Sequence, residues 1–395
     1  MAVSDANLFL GRLLPEYFPK IFGPNEDQSL DRAIVEEKFK ELAKTINEST
    51  GESKSLDEVV YGFIKVANET MCRPIRALTE AKGHDTSHHT LAVFGGAGGQ
   101  HACGIARNLG ISKIVMYRHS SILSAFGLAL ADVVHEVQEP CAERLNKETL
   151  PQMQKRIYDL KKACKGELYK QGFDDQDVTT EVYLNLRFDG TDCALMTMQS
   201  SETDWNFEEA FCKLYAQEFG FLLKNRDIII DDVRVRGIGK TIQSKDLTPD
   251  QEIERLKTAN EIKSAADSVQ PDSHTSVYFE QGGRDDHVPV YRLGQLAPGL
   301  LVDGPAIIID ATSTVVIEPS CSALITSGHI IITVGKGEKK KVTTEMEPIQ
   351  LSIFSHRFMS IAEQMGRTLQ KTAVSTNIKE RLGKEKASIM ANNGC

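Results

Sequence analysis

Four glycines stand within five residues, Gly95, Gly96, Gly98 and Gly99, split only by Ala97, and Gln100 and His101 follow at once. Glycine lets the backbone take positive φ and lets a ligand come close to the main chain. Just upstream is a short apolar run, Leu91-Ala92-Val93-Phe94. Downstream, Ala102, Ile105, Ala106 and Leu109 recur at helical spacing until Gly110 stops them. The expectation is strand, tight turn, helix. Such a helix start offers unpaired N–H groups and the positive end of a dipole, a site for an anion or a nucleotide. The same glycines could instead serve only to let a helix pack close to a sheet. No Gly-Lys-Ser/Thr follows, so this is not a Walker loop. His101 stands where a dinucleotide fingerprint needs its last glycine. Met116-Tyr117-Arg118 also stands where a nicotinamide-dependent oxidoreductase would place an acidic residue, which argues against that class.

Other chemistry-bearing residues are weaker candidates. Gly83–His89 holds three histidines, with Asp85 the only nearby acid. A metal site is conceivable there, but a solvated loop is the preferred reading. Cys103 falls in the first turn of the expected helix, where a thiolate is favoured, yet a small packed residue is the simpler role. Asp5 and Arg12 could face a ligand and are read as surface polarity. The eight cysteines form no C-x-x-C pair and no zinc spacing. They read as reduced thiols, with a cytoplasmic (cytosolic) location and no metal site as the expectation.

The elements that must position the glycine turn can be followed along the chain. Residues 1–28 read as loop. A helix is expected from Ser29, with Ile34, Val35, Phe39, Leu42, Ala43 and Ile46 on one face. Ser55 with Glu58 forms a capping box for a second helix, which Pro74 should bend or break. Lys113–Met116 reads as a second strand parallel to Leu91–Phe94, followed by a short helix over Ile122–Ala131 and a strand over Val133–Val137. Together, 1–140 read as an α/β lobe. Residues 141–243 read as an α+β continuation. It has a long amphipathic helix from Pro151, a strand with Val182, Leu184, Leu186 and Phe188 facing inward, a hairpin at Gly190 and Asp192, and strands at Ile228–Ile230 and Val233–Ile238.

Residues 244–272 lack apolar periodicity and read as a linker. Six short apolar stretches in 273–335 suggest a separate β-sandwich or barrel. The charged run in 336–347 reads as a second linker, and residues 348–382 start a new amphipathic helix with Ile353, Phe354, Phe358, Ile361, Ala362, Met365 and Leu369. The last segment, 383–395, is polar and unpatterned.

Length allows two or three domains with ample core in 395 residues. Apolar content of 41% and charged content of 26% are ordinary for a globular chain. The net charge of −9 argues against a nucleic-acid scaffold, and no apolar run approaches a membrane span.

The stretches FGGAGGQHACGIARNLG and HSSILSAFGLALADVVHEVQEPC, with DANLFLGRLLPEYFPKIFGP before and EPIQLSIFSHRFMSIAEQMGRTLQKTAVSTNIKERL after, resemble the hydantoinase A/oxoprolinase family. That resemblance implies ATP- and Mg2+-dependent opening of 5-oxo-L-proline to L-glutamate, in the glutathione cycle. It also implies a full-length enzyme that can be a homodimer. The implied fold is the second lobe of an actin- and sugar-kinase-like ATPase. Gly95, Gly96, Ala97, Gly98, Gly99, Gln100 and His101 would be its nucleotide-binding residues, with no catalytic residue assigned. The family's acidic Asp-x-Gly-Gly-Thr loop does not occur in these residues, and Gly383 stands where the resemblance leads one to expect a carboxylate. The expectation is therefore a chain holding the later A-type part and the truncated start of a B-type domain, inactive alone. The competing expectation is a non-catalytic fragment acting through protein contact.

Overall fold

The computed structural model describes residues 2–80, 84–201, 204–241, 247–335, 348–375 and 377. In chain order the elements are α1 (Val3–Phe9), α2 (Arg32–Thr50), α3 (Leu56–Leu78), β1 (Thr90–Val93), α4 (Gly98–Leu109), β2 (Lys113–Tyr117), α5 (Leu123–Ala129), β3 (Val133–Arg144), α6 (Leu150–Lys170), β4 (Val178–Phe188), β5 (Leu195–Met198), α7 (Phe207–Phe219), β6 (Ile228–Gly239), α8 (Pro249–Thr258), β7 (Lys263–Ser264), α9 (Ala265–Ser268), β8 (Ser273–Phe279), β9 (Gly283–Arg292), β10 (Leu300–Asp303), β11 (Ala306–Asp310), β12 (Ser313–Ile317), β13 (Cys321–Ile325), β14 (His329–Val334) and α10 (Pro348–Thr372).

Local chemistry explains several boundaries. Ser55 and Glu58 form the reciprocal capping box that opens α3, with Ser55 N donating to Glu58 Oε2 at 2.7 Å. Asp31, rather than Ser29, caps α2 by accepting from Ile34 N at 3.1 Å. Gly110 ends α4 at φ +72°. Pro74 does not end α3, which runs on to Leu78. Arg76 in that last turn donates to Glu69 Oε1 at 2.6 Å and to Asn108 O at 3.1 Å, so side-chain bonds hold the turn beyond the proline.

The chain divides into two compact units, 1–127 with 246–353, and 128–245 with 354–395. The first contains two sheets. One has the order β1-β2-β14-β13-β10-β7, and the other the order β12-β11-β9-β8. Strands β1 and β2 are parallel, Thr90 opposite Lys113 and Val93 opposite Met116. Strand β14 lies antiparallel on the other side of β2, with Ile331 opposite Val115. The continuous apolar run Ala306–Ile309 is explained by burial on both faces of its sheet. Ala306 and Ile308 join a core with Ala102, Ala106, Ile114, Met116, Val302 and Ile332, while Ile307 and Ile309 pack with Leu14, Val277, Phe279 and Val290.

This arrangement differs from the separate β domain expected over 273–335. Strand β14 completes a sheet with β1 and β2, and β12 lies against α4, so these strands share one core with the glycine-turn region. Isolated strand patterns do not reveal which distant segment will hydrogen-bond to them. The expected linker 244–272 is also folded where described, as α8, β7 and α9, with Leu256 and Ala265 fully buried. A few anchoring apolar residues sufficed there, too few to register as periodicity. Residues 1–28 are not all loop either, since α1 buries Ala6, Asn7, Leu8 and Phe9.

The second unit is an antiparallel sheet of order β3-β6-β4-β5. Val182, Leu184, Leu186 and Phe188 form one face and pack on Met153, Ile157 and Leu160 of α6 and Phe207, Phe211 and Tyr215 of α7. The opposite face carries ion pairs such as Arg187–Asp231 at 2.9 Å. Strand β3, expected to end the first lobe at residue 140, belongs here, paired with β6 from Val133 opposite Gly239 to Arg144 opposite Ile229. The expected run 336–347 and the tail 383–395 lie outside the described residues. On α10, Phe358 and Met365 are largely exposed. Among the described residues no helix is long and apolar enough to cross a membrane.

A 273–335 polypeptide expressed alone should show no cooperative thermal transition, because β2, which pairs with β14, and α4, which packs on β12, are missing. A sharp two-state melt by circular dichroism would contradict the shared core.

Candidate functional site

The expected strand, turn and helix form as β1, the 94–97 turn and α4. Gly95 takes φ +89° and its N–H donates to Ser120 O at 2.8 Å, which fixes the turn. The other glycines are explained first by close packing. A Cβ on Gly96 would meet Thr312 O at 2.9 Å, and one on Gly98 would meet Val93 Cγ1 at 2.9 Å. A Cβ on Gly99 would meet Thr314 O at 2.8 Å and Val315 Cα at 3.0 Å. The turn is thereby pressed against the β11–β12 hairpin, whose Thr312 hydroxyl also bonds to that of Ser121.

Pressing the turn onto the hairpin creates the wall of a cavity of about 1140 Å³, within the reach of small-molecule sites. Gly96, Ala97, Gln100 and His101 line it, whereas Gly95, Gly98 and Gly99 do not. Four of the seven residues expected from sequence therefore face the space, and the other three build the turn. The remaining lining comes from α1 and the 17–38 segment, including Asn7 and Lys38, and from 310–314 of the hairpin. The charged lining is Asp5, Asp31 and Asp310 against Lys38. Asp5 and Asp31 are engaged as helix caps, Asp5 Oδ2 accepting from Ala2 N at 2.7 Å.

His101 is the most constrained group in the wall. It is 7% exposed, and Asn7 Nδ2 donates to its Nε2 at 3.3 Å. An amide nitrogen can only donate, so Nε2 is the unprotonated nitrogen, and Nδ1 donates to Asn68 Oδ1 at 2.8 Å. Burial, and next the positive charge of Arg12, push its pKa down to about 4 against an opposing contribution from Glu318. The neutral imidazole is a fixed hydrogen-bond element joining α1, α3 and α4.

Behind it lies a buried ion cluster. Arg12, expected at the surface, is fully buried, its Nη1 3.3 Å from Glu318 Oε1, and Arg107 Nη1 donates to Glu318 Oε2 at 2.6 Å. The Arg12 guanidinium also lies 5.2 Å from the Tyr61 ring centroid and 5.7 Å from that of Phe279. Sequence reasoning missed Asn7, Asn68 and Glu318. Only the DANLFLGR stretch carried any signal, and its polar residues were spaced too sparsely to reveal a buried helix.

The other candidates do not converge. His88 and His89 are exposed in the loop before β1. Among the described residues no group of three or more His, Cys, Asp or Glu side chains could hold a metal ion. Cys103 is packed, its thiol held up by hydrogen bonding with Cys321 and by burial rather than activated by the helix start.

Fold and site together define an α/β protein of several sheets with a glycine turn walling a ligand-sized cavity. Three family profiles cover nearly the whole chain. Hydantoinase/oxoprolinase matches 1–137, the hydantoinase/oxoprolinase C-terminal domain 141–333, and hydantoinase B/oxoprolinase 347–391. The chain belongs to the hydantoinase/oxoprolinase family. It is 49% identical over 388 residues to 5-oxoprolinase of Dictyostelium discoideum and 47% identical over 391 residues to 5-oxoprolinase of Saccharomyces cerevisiae, in each case across 97% of this chain. It spans about 30% of the length of those relatives. The ATP-dependent caprolactamase of Pseudomonas jessenii shares the fold, with a TM-score of 0.67 at 22% identity over 85% of this chain and 47% of that one.

The His101 relay has a pH signature. An unfolded imidazole titrates near 6.5 and the folded one at about 4, so its contribution is complete above pH 6.5 and is lost as pH falls toward 4. The stability advantage of the wild type over His101→Gln in urea unfolding should shrink by about 2 kcal/mol between pH 7.5 and pH 5. A constant advantage across that range would show that His101 is not held neutral.

Proposed function

We propose that this chain supplies one wall of the ATP site in an enzyme that opens 5-oxo-L-proline to L-glutamate. The observation that carries this reading is the exposed main chain of Gly96 and Ala97, which meets the start of α4 on the wall of the 1140 Å³ cavity. There a ligand can approach the backbone without a side chain intervening, at the positive end of a helix dipole. The 5-oxoprolinase relatives, and the fold shared with an ATP-dependent caprolactamase, support the same assignment. In this reading the glycine-turn unit is the second lobe of an actin- and sugar-kinase-like ATPase, and the protein works in the cytosol.

ATP, when bound, supplies the phosphoryl transfer that drives opening of a stable ring amide. The chain's own contribution is positional. Gly96 and Ala97 give backbone access, and Gln100 and His101 shape the wall. The neutral imidazole adds no charge beside the nucleotide. Among the described residues no group of three or more His, Cys, Asp or Glu side chains is placed to hold a metal ion, and no Mg2+ ligand is named here. Metal ligation is therefore not assigned to this chain.

Ala97 provides the cleanest test, because it is exposed and its replacement spares the packed glycines. Ala97→Glu places a like charge beside the phosphates, so ATP binding to the 395-residue chain should weaken at least tenfold, on the order of 1.4 kcal/mol, with an unchanged melting temperature. Unaltered ATP affinity would remove the nucleotide from this wall. With ATP, magnesium and potassium, the chain alone should release no measurable glutamate from 5-oxo-L-proline. Turnover within about tenfold of the longer Dictyostelium relative, roughly 1.4 kcal/mol in barrier, would show that the chain carries a complete site.

A further inference from the structure

Among the described residues that line the cavity, Asn7 is the one with a fully buried side-chain polar atom that has no hydrogen-bond partner. Asn7 lines the cavity and is 1% exposed. The tautomer of His101 fixes its amide. Nδ1 of the ring is committed as donor to Asn68 Oδ1, so Nε2 must accept, and Asn7 must turn Nδ2 toward it. Asn7 Oδ1 is thereby directed away from the relay, and it is buried without a hydrogen-bond partner. A desolvated amide oxygen that lacks a donor is unfavourable and uncommon. The His101 relay holds it in that state, so the free acceptor is built into the fold rather than left to rotamer choice.

The chemistry of an acceptor decides what it can meet. A phosphate presents only acceptors at neutral pH, and the charged lining already runs to three aspartates against one lysine. An uncharged group bearing N–H or O–H suits this part of the cavity, whereas the polyphosphate suits the start of α4 by Ala97. Resting on the nucleotide reading above, we propose that Asn7 is a specificity-determining residue of this cavity. Its Oδ1 accepts a hydrogen bond from a donor on the nucleoside end of the bound nucleotide. Two groups carry such donors, the exocyclic amine of the base and the hydroxyls of the ribose.

The test is titration of the 395-residue chain with adenosine, ATP and inorganic tripolyphosphate, in the wild type and Asn7→Ala. Asn7→Ala removes the acceptor and should weaken adenosine and ATP by the same factor, roughly 10- to 100-fold, leaving tripolyphosphate unchanged. In the wild type, inosine, 2′-deoxyadenosine and 3′-deoxyadenosine distinguish the base amine from the two hydroxyls. The analogue that lacks the donor should lose the same factor, and Asn7→Ala should erase that discrimination. Wild-type affinity for adenosine in Asn7→Ala would overturn the role of Asn7 and leave the nucleotide reading standing. A wild-type chain that binds neither ATP nor adenosine would overturn both. If Asn7→Ala does not fold, the wild-type analogues decide alone, and equal affinity for adenosine and all three would overturn the proposal.

Discussion

A single buried carboxylate holds the first unit together. Glu318, just after β12, receives Arg12 on one oxygen and Arg107 on the other. Those three residues come from the segment after α1, the last turn of α4 and the end of a strand more than two hundred positions later in the chain. Charge is buried in a protein only when it is paired, and removal of one partner leaves an uncompensated ion in the core. Loss of Glu318 would leave the buried Arg12 guanidinium and the half-buried one of Arg107 without their shared carboxylate. The aromatic faces of Tyr61 and Phe279 beside Arg12 absorb part of the remaining positive charge.

From that anchor the cavity wall follows. Fixing Arg12 fixes the exit of α1, and α1 carries Asn7 to His101. The Arg107 contact holds the far end of α4, while Gly99 and Gly96 allow its near end to sit against the β11–β12 hairpin at backbone distance. Gly104 serves the same purpose on the opposite side, where a Cβ would stand 2.5 Å from Asn68 Nδ2. Close-packed interiors transmit such demands rigidly. Gly96, the turn glycine that exposes its backbone toward the cavity, is thus also one that packing requires, and the two uses reinforce each other.

The relation of this chain to its longer relatives gives these details their setting. It matches about 30% of their length, yet that stretch contains a folded core, a cavity and a buried polar relay around His101. Positioning of a ligand is a property such a stretch can hold by itself, because it depends on fixed dipoles and shape. Charge neutralisation on a transferring phosphoryl group is different, since it needs several preorganised cations in one closed site.

Periodicity and end signals are local, and the sequence alone determined what they determine. Those are the strand, turn and helix around Gly95–His101, the parallel pairing of β1 with β2, the capping box of α3, and the alternating inward face of β4. The long shared motifs placed the family as well. Partner choice is not local. Nothing in HIIITV says that it pairs with Lys113–Tyr117, so 273–335 looked like a domain of its own until the sheet joined it to β2. Asn7, Arg12 and Glu318 are polar letters that propensity assigns to the surface. Only the tertiary fold decided that they are buried, because their neutralising and hydrogen-bonding partners lie far away in sequence. The same holds for the cavity, since an empty volume exists only between segments that folding has brought together.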